Sequence, residues 1–319
     1  MSERILVTGG AGYIGSNIAA ALVKRPGTDV VVVDNFSSGD WRNLLHVDCE
    51  LRAIDSDDSC LLEEIADGHF SAVFHEAAIT DTTVMDQRLM IEVNTNAFAD
   101  LLQACHISAT RMIYASSAGT YGNSPAPNRV GSGEDAENIY GFSKLAMDRI
   151  AARRYETQSA PIIGLRYFNV YGPGESHKNE KSGNKTASMI LQLYEQVKAG
   201  KQPRLFKYGE QKRDFVYIRD IIAANLAGLD APRSGVCNVG SGLARSYNDI
   251  VQTLSATLNA PLEVEYFDNP FSFFQNHTEA DLSDTDALLS WQPEWTLEKG
   301  VSDYITLLEQ GHRGPVETA

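Results

Sequence analysis

Cysteine is scarce in this chain: Cys49, Cys60, Cys105 and Cys237 are the only four in 319 residues, and they show neither CxxC nor metal-ligand spacing. That argues against a disulfide scaffold or a cysteine-held metal and makes reduced, mostly buried thiols the expectation. The seven histidines, His46, His69, His75, His106, His177, His277 and His312, form no HExxH or paired-ligand pattern, and there is no G-x-S-x-G nucleophile elbow. No metal is expected. Positive charge is also short, with 27 Lys and Arg against 42 Asp and Glu and a net charge of −15. A general nucleic-acid or anionic-membrane partner is therefore disfavoured. No apolar run approaches membrane-spanning length, and strand-like sequence begins within the first few residues, leaving no room for a signal peptide, so a cytoplasmic protein is expected.

What is present begins with a buried-strand signal, Ile5-Leu6-Val7, running into Thr8-Gly9-Gly10-Ala11-Gly12-Tyr13-Ile14-Gly15, after which Ile18, Ala21 and Leu22 recur at helical spacing. Strand, tight turn and helix in that order form a phosphate cradle: glycines let the backbone approach, and the helix start presents unpaired N–H groups. A second strand, Val30 to Val33, ends at Asp34-Asn35, where an acid suits the adenosine ribose of a dinucleotide.

The alternation continues with a strand at Val73-Phe74-His75, a helix from about Met85 to Ala104, and strands at Met112 to Ala115 and Ile162 to Leu165. This rhythm predicts an α/β fold, a Rossmann-type doubly wound parallel sheet. After Tyr171 the texture changes to a Gly/Lys/Asn/Ser-rich loop, 172–185, followed by a helix from about Thr186 to Lys198. Between Tyr171 and Arg213 there are nine Lys/Arg against four Glu, a local basic patch suited to an anionic ligand. Phe215 to Ile218 and Val236 to Gly240 read as strands returning to the first unit. The expected organisation is a dinucleotide-binding domain over 1–170, with returns near 214–240, and a smaller interleaved α/β substrate domain over 171–319.

Tyr140-Gly141-Phe142-Ser143-Lys144 carries the clearest chemistry. Residues four apart share a helix face, so Tyr140 and Lys144 would enter one pocket. An ammonium near a phenol favours the phenolate, which makes tyrosine usable as a base.

These segments resemble the extended short-chain dehydrogenase/reductases that act on nucleotide-sugars. The resemblance covers nearly the whole chain. It rests on the glycine loop, His75-Glu76-Ala77-Ala78, Asn94, Tyr114-Ala115-Ser116-Ser117, YxxxK, Leu165 to Pro173, and Arg213-Asp214-Phe215-Val216-Tyr217. Within the family the chain is most similar to the branch that epimerises ADP-linked heptose at C-6 for lipopolysaccharide-core synthesis. Asp81-Thr82-Thr83, His177-Lys178, Gln275 and Thr278 to Asp281 add to that likeness.

The resemblance implies an NAD(P)-dependent isomerase that oxidises C-6 transiently, with Tyr140 and Lys178 as acid/bases, Lys144 tuning Tyr140 while holding the nicotinamide ribose, and Ser117 on the reacting hydroxyl. Lys181 and Lys185 are alternatives to Lys178. Cofactor contacts are implied for Gly9, Gly12, Tyr13, Ile14, Gly15, Asp34, Asn35, Arg42, Asp55, Ala77, Asn94 and Lys144. Substrate contacts are implied for Ser117, Asn169, Ser188, Arg213 and Phe274. NADP is the implied cofactor, with Arg42 meeting its 2′-phosphate, and Asp34 taken alone favours NAD. A homo-oligomer with a small-molecule nucleotide-sugar substrate is expected. The competing readings are a UDP-hexose 4-epimerase and a non-catalytic dinucleotide sensor. A 4,6-dehydratase is disfavoured because Ala118-Gly119 stands where that group carries Asp-Glu.

Overall fold

The computed structural model describes residues 3–181, 186–268 and 276–316. Among them, seven strands form one parallel sheet in the order β3-β2-β1-β4-β5-β6-β10. These are β1 (Glu3–Thr8), β2 (Thr28–Val33), β3 (Glu50–Arg52), β4 (Ala72–His75), β5 (Arg111–Ser117), β6 (Ile162–Tyr167) and β10 (Gly235–Val239). Their apolar runs are buried on both faces; Leu6, Val31, Val32, Val73, Phe74 and Ile113 are all shielded from water. Unbroken hydrophobicity without alternation is what helices on both faces demand. One edge departs from that rule: β3 is short and polar, Glu50-Leu51-Arg52, and carries no buried-strand signature.

Helices α1 (Tyr13–Leu22), α2 (Ser59–Ala66), α3 (Gln87–Ile91), α4 (Ala97–Ser108) and α5 (Ile139–Ala152) accompany the first strands. The single helix expected over 85–104 is instead α3 and α4 joined by a wide π-turn, Glu92–Asn96. The turn has a function in packing: Asn94 points inward and clamps the Ile79 backbone, accepting from its N–H at 2.8 Å and donating to its carbonyl at 3.0 Å.

Beyond β6 the chain builds two smaller sheets. β9 (Lys212–Tyr217) lies between β7 (Asn169–Tyr171) and β11 (Ala244–Ser246), and β8 (Arg204–Phe206) pairs with β12 (Glu265–Phe267). The segment Phe215 to Tyr217 thus joins the three-stranded sheet, while 235–239 closes the large one. The stretch expected as irregular over 172–185 contains a helical turn, α6 (Ser176–Lys181). Then come α7 (Met189–Lys198), α8 (Ile218–Asp230), α9 (Tyr247–Leu258), α10 (Ser283–Leu289) and α11 (Leu297–Glu309). No helix among the described residues is long and apolar enough to cross a membrane.

The sheet order runs outward in both directions from β1 and β4. A crevice therefore opens above their carboxyl ends, where such folds bind ligands.

Candidate active site

At that crevice lies a cleft of about 1000 Å³, and it gathers residues from far apart in the chain. The glycine loop forms one wall. Gly9 has φ +66°, and a Cβ there would stand 2.6 Å from the Ala77 backbone N; a Cβ on Gly15 would stand 2.3 Å from the Gly9 carbonyl oxygen. Only glycine allows β1, β4 and α1 to converge so closely. Gly12 caps α1 with no side-chain hydrogen bond, so the first-turn amides remain available to an anion at the cleft.

Asp34 directly follows β2 and accepts from the N–H of Ala11 at 3.0 Å and of Phe36 at 2.7 Å. Its carboxylate braces the loop as well as lining the cleft. Asn35 donates to Asp55 at 2.8 Å, and both line the same end. Arg42 is held elsewhere. Its guanidinium makes a two-pronged pair with Asp40, at 2.9 Å on each oxygen, and it is not among the cleft-lining residues. That pair holds the Asp40 carboxyl well below the usual range. A dinucleotide fits this wall: uncapped amides for the pyrophosphate and an acid for the ribose.

Asn138 caps α5 by accepting from the Gly141 N–H at 2.8 Å, and the helix turns Tyr140 and Lys144 into the cleft. Lys144 is 2% exposed and donates to the Ala115 carbonyl at 2.8 Å. Burial pulls its ammonium down to about 8, against the attraction of Glu76 and Asp148. The Tyr140 phenol is pushed up by burial, against a hydrogen bond with Ser117. Burial, with the Glu76 charge, thus works against the phenolate that the Tyr-Lys spacing would favour. Ser117 ends β5, accepts from the Gly119 N–H at 3.0 Å and lines the cleft.

The opposite wall comes from β7, α6 and the start of α7. Asn169, Glu175, His177, Lys178 and Ser188 line it. The Lys178 ammonium lies 5.6 Å from the Tyr13 ring centroid, and burial lowers its proton affinity against the attraction of Glu175. Ser188 donates to Glu175 at 2.7 Å and caps α7, so its hydroxyl is committed to structure.

Besides Arg42, two expected site residues are not among those lining the cleft. Asn94 is wholly buried, clamping Ile79. Arg213 is 8% exposed and donates to the Lys212 carbonyl. Phe274, Gln275 and Lys185 lie outside the described residues, as does the side chain of Lys181. His75 accepts or donates at 2.8 Å with Thr8, and burial pushes its imidazole down to about 3, so it is neutral. Two carboxylates went unassigned in the sequence, Glu76 and Glu175. Each directly follows a recognisable signal, the end of an apolar strand and a Gly-Pro-Gly turn, and that position was the available clue.

Fold and cleft together define a Rossmann-type α/β enzyme with a dinucleotide-binding cleft. The chain belongs to the NAD dependent epimerase/dehydratase family, whose sequence profile matches residues 5–240. It is 39% identical to an ADP-L-glycero-D-manno-heptose-6-epimerase of Cupriavidus pinatubonensis over 96% of this chain and 99% of that one. The crystal structure of the Helicobacter pylori ADP-L-glycero-D-manno-heptose-6-epimerase superposes with a TM-score of 0.89 at 44% identity, over 97% and 96% of the two chains. A UDP-glucuronic acid 4-epimerase of Bacillus cereus, solved with UDP-glucuronic acid and NAD, gives 0.80 at 27% identity, over 96% and 99%.

Proposed function

We propose that this protein interconverts ADP-D-glycero-D-manno-heptose and ADP-L-glycero-D-manno-heptose by transient oxidation at C-6 of the heptose. The observation that carries the reading is that Tyr140 on α5 and Lys178 on α6 line one cleft. Inverting a carbinol centre by oxidation and re-reduction needs a proton-carrying group for each epimer, and these are the two candidates. The near full-length likeness to the two heptose epimerases supports the choice of sugar.

A nicotinamide dinucleotide held along Gly9 to Gly15 would supply reversible hydride chemistry at C-6, so no net redox change would be required. Ser117 holds the reacting hydroxyl beside Tyr140. Tyr140 is an acid at rest and a base once the Lys144 charge favours its phenolate. Lys178 exchanges the proton for the other epimer. Asn169, together with Ser188, Arg213 and Phe274 from the portion 171–319 read as the substrate domain, remain the proposed substrate contacts.

For the cofactor, the family resemblance implies NADP, but the adenosine end supports NAD. Asp34, Asp40, Asp55 and Asp57 line it, and the Arg42 cation is already engaged with Asp40. A 2′-phosphate would meet carboxylates there. Four unpaired cysteines suit the reducing cytoplasm.

The test is to incubate the purified protein with ADP-D-glycero-D-manno-heptose, without added reductant, and follow C-6 inversion by NMR beside Tyr140→Phe. Conversion by the wild type alone is expected. No conversion by a protein that still binds NADH would move the assignment to UDP-hexoses. Fluorescence titration with NADH and NADPH should favour NADH, and tighter NADPH binding would return Arg42 to the 2′-phosphate.

A further inference from the structure

Glu76 is a carboxyl group for which the scheme above has no task. It follows β4 directly, its N–H donating to the Thr8 carbonyl at 3.1 Å, and it is half-buried with its open side on the cleft that Tyr140 and Lys144 share. Its orientation is held from two other elements. Tyr167, at the end of β6, donates its hydroxyl to Glu76 Oε1 at 2.9 Å, and Asn225 of α8 donates to that hydroxyl at 2.8 Å. The Asn225 amide is itself tied to the Ile221 carbonyl at 2.9 Å. A carboxylate fixed through a tyrosine and an asparagine, next to a desolvated lysine, has a defined place and not a swinging one.

The charged and titratable groups around it are few. Tyr167 faces it from β6, Lys144 and Tyr140 from α5, and His75 beside it is neutral. Burial raises the Glu76 carboxyl to about 7, opposed by the Tyr167 hydrogen bond and the Lys144 charge. Lys144 in turn is drawn back up chiefly by Glu76, then by Asp148.

We propose that Glu76 is a positioning residue of the hydride-transfer site: anchored by Tyr167, its carboxylate keeps Lys144 a cation and so sets the upper pH to which Lys144 can hold the dinucleotide. The proposal rests on the functional reading above only in giving Lys144 to the nicotinamide ribose. Its direction follows from charge. With Glu76 ionised, the Lys144 proton is held against desolvation; with Glu76 neutral or removed, desolvation acts with only Asp148 opposing it, and the cation is lost at lower pH.

The experiment is a fluorescence titration of NADH from about pH 6 to pH 10 on wild type, Glu76→Gln, Glu76→Asp and Tyr167→Phe. Wild-type affinity should fall on the alkaline side, by up to about tenfold per pH unit. Glu76→Gln should move that fall to lower pH by about one unit or more, Glu76→Asp should move it back towards wild type, and Tyr167→Phe should give a smaller shift in the same direction. Tyr167→Phe keeps the carboxylate and changes only its proton affinity, so it remains informative if Glu76→Gln does not fold. Superimposable pH profiles for wild type and the folded variants would overturn the proposal, as would an equal shift in Glu76→Asp and Glu76→Gln. No sugar enters the titration, so its outcome stands apart from whether the heptose is turned over.

Discussion

Asp148 on α5 and Arg166 on β6 meet at 2.9 Å where their side chains are only 5% and 2% exposed. Asp148 sits one turn beyond Lys144, and it also accepts from the Tyr114 and Ser116 hydroxyls, both at 2.9 Å. Helix α5, which carries Tyr140 and Lys144, is thus pinned to β5 and β6 by one carboxylate. Asp148→Ala leaves the guanidinium, among the described residues, with Glu134 as its remaining ion-pair partner and should cost about 3–5 kcal/mol, the usual result of breaking a buried pair. Thermal unfolding would check it, and a change of less than about 1 kcal/mol would show that the pair does not secure the helix.

Lys178→Met keeps an unbranched chain beside the Tyr13 ring but removes the proposed second acid/base. Turnover of the heptose substrate should fall by roughly 10²- to 10⁴-fold, with dinucleotide binding retained. Near wild-type turnover would transfer the second acid/base role to Lys181 or Lys185.

Gly15→Ala places a methyl 2.3 Å from the Gly9 carbonyl, a backbone atom that cannot step aside without moving the loop. A loss of about 1–3 kcal/mol in stability and a marked weakening of NADH binding are expected together. Unchanged affinity would mean that the loop tolerates displacement and that close approach there is dispensable.

The Glu76 carboxyl also makes stability depend on pH. Its ordinary value of 4.5 is raised to about 7 in the fold, so its contribution is full below 4.5 and is lost as pH rises through 7. Glu76→Gln lacks that loss. The melting temperature of the variant relative to wild type should therefore rise between about pH 4.5 and pH 8. A difference that stays constant, or moves the other way, would contradict the raised proton affinity.

Much of the frame was legible before any fold. Unbroken apolar runs at Val30 to Val33 and Ile162 to Leu165 become interior strands of the sheet because burial on two faces leaves no room for alternation. The glycine loop, the acid after β2 and the YxxxK spacing likewise reach one cleft, since each is a local pattern with local geometry. The polar edge strand β3 escaped notice because an edge needs pairing more than hydrophobicity, and α6 was hidden in a loop-like composition.

The sequence by itself therefore determined the strand-helix rhythm, the phosphate cradle and the Tyr-Lys pair proposed to carry protons, because periodicity and backbone geometry act over a few residues. Only the tertiary structure decided how those groups ionise and which are already engaged. Burial raises the proton affinity of the Tyr140 phenol, Arg42 is paired with Asp40, and Glu76 meets Tyr167 from 91 positions away. Desolvation and charge pairing depend on what surrounds a group in space, and for Tyr140 and Glu76 those surroundings come from strands and helices far apart in the chain.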